Sequence, residues 1–192
     1  MSSINLIKQK LQQFIHKYYV NQLIKGAILF VAIGLLYLIF TLIIEHFLWL
    51  KPTSRTILFW IFVLVEVLLL ANYIAIPISK IVGFKQGISE VAASKLIGKY
   101  FPEVNDKLLN MLQLDQVSTH SELIEASIEQ KSKELQPIPF VKAVNFSDNK
   151  KYLKYALLPF LIWLLVYITG NINIFNDSFT RVVNYNTAYQ PP

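Results

Sequence analysis

Three long runs of apolar residues dominate this chain and leave few folds open to it. Residues 26–44 carry no charged side chain, residues 56–79 carry only Glu66, and residues 155–176 again carry none. A helix rising 1.5 Å per residue needs about 20 apolar residues to cross a hydrocarbon core of about 30 Å. Each run is long enough. A backbone in lipid must satisfy its own hydrogen bonds, so each run is expected to be helical even where it is rich in Ile, Val and Phe. With 54% hydrophobic residues and a mean hydropathy of +0.45 over 192 residues, the composition is far too apolar for a soluble domain of this size. The expected fold is an all-α membrane protein. It has an amphipathic helix over residues 1–25 and transmembrane helices over 26–50, 56–78 and 152–175. A small cytoplasmic helical bundle over 79–151 lies between the second and third, and an extracytoplasmic tail fills 176–192.

The net charge of +6 is unevenly placed. Four lysines, Lys8, Lys10, Lys17 and Lys25, precede the first run, and eleven lysines lie between the second and third. Only Lys51, Arg55 and Arg181 lie elsewhere. The positive-inside rule then puts the N-terminus and the middle block in the cytoplasm and the first loop and tail outside, in a bacterial inner membrane the periplasm. The middle block also carries nine acids and no basic stripe, so its charge does not point to nucleic acid. The first run is too long for a signal-peptide core, and no small-residue cleavage site follows it before Glu45 and His46. It reads as a retained anchor. The chain has no cysteine, which removes disulfides, thiolate catalysis and Cys-based metal sites together.

Before the first run, Ile4, Ile7, Leu11, Phe14 and Tyr18 recur at steps of three and four, with most polar residues elsewhere. This stripe predicts an amphipathic helix with two open packings. It lies along the cytoplasmic leaflet before turning into the membrane, lysines on its wet side, or it packs on the protein's own middle block. Trp49 and the Lys51–Pro52 pair mark an interface and a turn, so the first two runs read as a tight helical hairpin. Counting outward from that turn puts Tyr37 and Glu66 at similar depth, near the middle of the bilayer.

Glu66 is the one ionisable residue in the apolar runs, and such residues mark function by default. One reading is a proton-relay or coupling carboxylate. The other is a protonated Glu66 hydrogen-bonded to Tyr37, to Thr41 or to a partner helix. A relay needs further polar groups along its path, and only Asn72 and Tyr73 follow, which favours the second.

In the middle block, Ile88, Ala92, Leu96 and Tyr100 are expected on one helix face. Pro102 opens a second helix buried through Val104, Leu108, Met111 and Leu112, with Glu103 and Lys107 at pairing distance. After a polar loop, Ser121 caps a third helix marked by Ile124, Ile128 and Leu135, which stops at Pro137 and Pro139. Glu122, Glu125 and Glu129 read as its solvated face. His16, His46 and His120 stand alone, without a second ligand at metal spacing. No Gly-rich phosphate loop, nucleophilic triad or paired-carboxylate motif is present, so the expectation is a non-enzyme without cofactor or metal. Ser147 and Asp148 are placed to cap the third crossing. Lys150, Lys151 and Lys154 with Tyr152 and Tyr155 form a basic and aromatic anchor at the membrane interface, as Trp49 does at the other side. The expected partners are the bilayer and a protein partner or second copy, met through the membrane helices or the middle block.

The segments YFPEVNDKLLN (100–110), ELIEASIEQK (122–131) and YLKYALLP (152–159) resemble the N-terminal region of an uncharacterised family of large Bacteroidota inner-membrane proteins, a domain of unknown function. The resemblance spans essentially the whole chain. It implies a membrane-anchoring module followed, after the third helix, by a large extracytoplasmic region that opens with immunoglobulin-like β sequence. It supplies no catalytic residues. The functional expectation is a scaffold that holds an extracytoplasmic region and docks a cytoplasmic partner. The alternative is an energy-transducing component that uses Glu66.

Overall fold

The computed structural model describes residues 3–116 and 121–190. It is all-helical, with no strand among the described residues. Helix α1 spans Ser3–Leu48 and α2 spans Pro52–Leu70. A π-helical turn, Ala71–Ala75, carries α2 into α3, Ile76–Ile81. Then come α4 (Glu90–Tyr100), α5 (Pro102–Asp115) and α6 (Glu122–Leu135). The 3-10 turns Phe140–Ala143 and Phe146–Asn149 lead into α7 (Lys150–Ile168), and α8 spans Asn173–Val183. Three stretches, Ser3–Leu48, Pro52–Ile81 and Phe140–Ile168, are long and apolar enough to cross a membrane. Large apolar side chains are turned outward on them, Leu64 at 58% and Leu165 at 63% exposure, a surface suited to lipid rather than water. These features are compatible with a multi-pass membrane protein.

The chain divides into two compact units, Met1–Gln22 with Ile78–Phe146, and Leu23–Pro77 with Ser147–Pro192. In the first, the stripe of α1 packs on the middle block. Ile7, Leu11 and Phe14 share a core with Ile97 of α4, Leu108 and Met111 of α5 and Leu135 of α6, all at most 2% exposed. Burying one such side chain contributes about 1.5–3 kcal/mol, so of the two packings open to this helix the structure adopts the second. The lysines are not on a wet side either. Lys10 Nζ donates to the Ile138 carbonyl at 2.7 Å and Lys17 Nζ to that of Val141 at 2.9 Å, and Lys8 pairs with Asp115. Lys10 thus supplies a donor to a carbonyl of the proline-containing linker, and Lys17 one to the 3-10 turn that follows it. The expected turn near residue 25 is absent, because nothing breaks the helix there and α1 runs on unbroken.

Within the middle block, α5 and α6 bury the residues their periodicity predicts. Ser89 and Ser121 cap α4 and α6 by accepting from the amides of Ala92 and Ile124. Helix α4 differs: its buried face is Ala93, Ser94, Ile97 and Gly98, while Tyr100 is 55% exposed. Three of these four are small, and Ile97 is the one large apolar side chain on the crowded face. Lys107 pairs at 2.7 Å with Glu134 of α6 rather than with Glu103. His120 and most of the loop before Ser121 fall outside the described residues.

In the second unit, α1 and α2 form the expected hairpin with Pro52 at the first turn of α2. Helix α7 stops at Ile168, followed by Gly170 at φ +72°. Part of the polar tail expected from residue 176 is instead helical. It belongs to α8, whose Phe175 and Val182 pack with Leu42 of α1.

Candidate functional site

Glu66 sits on α2 against α1, at a point where α1 has no side chain. A Cβ added at Gly34 would lie 2.8 Å from Glu66 Oε2 and 3.2 Å from Oε1. The carboxyl therefore occupies a notch that glycine leaves open. Beside it is a cavity of about 310 Å³ lined by Phe30, Val31, Gly34, Leu35 and Phe62. Glu66 Oε1 is buried without a hydrogen-bond partner.

The three residues singled out in the hairpin do not form one hydrogen-bonded site. Thr41 Oγ1 donates to the Tyr37 carbonyl of its own helix at 2.9 Å, a local bond that uses its one donor. The Tyr37 ring stacks on Phe62, one turn from Glu66, with centroids 5.8 Å apart. Tyr37 and Glu66 thus lie at similar heights on the two helices, stacked and packed but not bonded. Asn72, the next polar group along α2, gives its amide to the Leu68 carbonyl at 2.8 Å. What this arrangement offers is one carboxyl with spare bonding capacity in an apolar pocket.

A second, larger concentration of charge lies where α1 and α2 meet. Glu45 and Arg55 are 0% exposed and Arg181 is 5% exposed. Glu45 Oε1 accepts from Arg55 Nε at 3.0 Å and from Arg181 Nε at 3.2 Å. Arg55 also donates to the carbonyls of Leu50 and Thr187, each at 2.7 Å, and Arg181 Nη2 donates to Ser178 Oγ at 3.1 Å. Glu45 stands in the last turn of α1 and Arg55 near the start of α2, so each lies at the helix end whose dipole disfavours its charge. Their pairing across the turn offsets both penalties. Arg181, from the apolar face of α8, adds a second cation to the same oxygen. Glu45 Oε2 and His46 Nδ1 are buried without partners.

Trp49, expected as an interfacial anchor, is part of this cluster. Its ring lies 4.1 Å from the Arg181 guanidinium, and its backbone has φ 42°, a left-handed conformation at the end of α1 that normally favours glycine. The segment after α8 is held at the same place, with Tyr185 stacked on Phe59 at 4.6 Å and Tyr189 under Arg55 at 5.0 Å. Reading by composition counted Arg55 and Arg181 as loop and tail charges and missed the cluster. The available signal was Arg181, three residues from Ser178 on the face that Phe175, Ser178 and Val182 mark at helical steps: an arginine on an apolar face needs a buried acid. Glu45, at the end of the first run, is such an acid.

Of the remaining anchors, Lys151 lies against the ring of Tyr152 and Lys154 against that of Tyr155. Lys150 is exposed. Compared with models of known families, with curated proteins and with solved structures, the chain matches none.

Proposed function

We propose that the chain is a non-enzymatic anchoring and scaffold module of a bacterial inner membrane. Its three apolar helices hold an extracytoplasmic region, and its middle block stays in the cytoplasm and docks a partner there. The observation that carries this reading is the Glu45–Arg55–Arg181 cluster. It fastens α8 to α1 through Arg181 and Glu45, and the segment after α8 to α2 through Arg55 and Thr187, which makes this stretch a fixed attachment point. The orientation rests on the excess of lysines before the first apolar run and between the second and third.

One observation favours a second reading, a proton-coupled component: the unpartnered Glu66 Oε1 beside an apolar cavity. Glu66→Gln separates the two, since glutamine hydrogen-bonds but does not ionise. In a deletion strain complemented with the variant, the scaffold reading expects normal insertion and full rescue of whatever defect the deletion causes. A variant that inserts at wild-type levels and fails to rescue favours the coupled reading instead.

A further inference from the structure

Apart from Glu66 and the ion cluster, one group of lysines gathers on tyrosine rings where α1 and α7 lie side by side. Lys25 of α1 and Lys151 of α7 bring their ammonium groups to a single ring, 4.9 Å and 5.2 Å from the centroid of Tyr152. One turn further along α7, Lys154 Nζ stands 5.1 Å from the Tyr155 ring. Lys8, Lys107 and Lys133 each pair with a carboxylate, whereas Lys25, Lys151 and Lys154 stand against tyrosine rings. The first turn of α7 contains no acid, so these lysines add positive charge at a helix end already positive. Like charges brought to one ring repel each other, and an anion bound between them relieves that repulsion. The anion that fits is a phosphate ester. Two ammonium groups and a phenolic hydroxyl are donors to its oxygens. Directly beyond Lys151 and Lys154 on the same helix face lies Leu158, 45% exposed, which offers an apolar surface to a hydrocarbon chain.

We propose that Lys25, Lys151, Lys154 and Tyr152 form a site for the headgroup phosphate of an anionic phospholipid. The lipid bridges α1 and α7, with its acyl chain running along α7 past Leu158. The site differs from the diffuse attraction of any basic segment to an anionic surface, because two of its lysines come from helices far apart in sequence and meet on one ring.

The test uses the full chain purified in mild detergent, with bound lipid counted by native mass spectrometry. Phosphatidylglycerol and phosphatidylcholine of identical acyl chains serve as probes. Wild type should retain phosphatidylglycerol preferentially. Lys25→Gln with Lys151→Gln should weaken that binding about 25-fold, roughly five-fold for each lysine removed, and leave phosphatidylcholine binding unchanged. Lys95→Gln with Lys99→Gln, an equal charge change on α4, should have no effect. An equal loss in this control, or no loss in the Lys25/Lys151 pair, overturns the site. Complete displacement of the lipid by an equal concentration of inorganic phosphate would also overturn it, because the ligand would then be free phosphate.

Discussion

Glu45 carries more of the structure than its place in the sequence suggests. Two guanidinium groups share one of its oxygens, so its removal leaves two buried cations with no counter-charge. Breaking a buried pair in this way costs about 3–5 kcal/mol. Glu45→Ala should therefore lower the thermal midpoint of the detergent-solubilised protein sharply. A triple variant, Glu45→Met with Arg55→Leu and Arg181→Leu, removes the desolvation cost together with the attraction. It should melt well above Glu45→Ala, and a triple variant less stable than the single one would contradict this account. Arg181 on an apolar face signals that a buried acid is needed, but the pairing itself is not legible from local sequence, because the partners of Glu45 are 10 and 136 residues away. Glu66 was visible, since a lone acid in an apolar run stands out without any partner. Its neighbour Gly34 was not, since nothing in the sequence says which glycine faces which acid.

Between the elements, the closest approach is made by backbone. Pro77 has no N–H to give the carbonyl of Tyr73 four residues before it, and the π turn Ala71–Ala75 widens the helix just there. That carbonyl is aimed at α1, where a Cβ added at Gly26 would lie 2.1 Å from Tyr73 O. By helix propensity alone Gly26→Ala should gain about 1 kcal/mol. Here the methyl must displace backbone, so a loss of about 1–3 kcal/mol is expected instead. Unfolding of the variant in mixed micelles gives the sign directly. The elements that sequence predicts well, α5 and α6, have apolar residues of ordinary size at regular helical steps. Helix α4 is displaced by one residue because small side chains fill its crowded face, and a stripe of Ala, Ser and Gly carries little hydrophobic signal. Helix α8 is hidden for a related reason: Ser178 and Arg181 interrupt the face that Phe175 and Val182 define.

For the molecule as a whole, three lipid-compatible helices follow from the absence of charge alone, so this level of the architecture is the most readable from sequence. The proposed sidedness has its own test. An impermeant amine reagent applied to intact cells should modify Lys51 and spare Lys95 and Lys131, and labelling of Lys95 or Lys131 as readily as Lys51 would reverse the topology. Inside the hairpin, the meeting of Gly26 with the Tyr73 carbonyl also limits how the two helices can move. A slide of α1 by one helical turn brings the Cβ of Leu23 or Phe30, on the same face as Gly26, toward that oxygen, so travel of that length is blocked sterically. A motion of this pair that keeps the close approach intact is a tilt about Gly26.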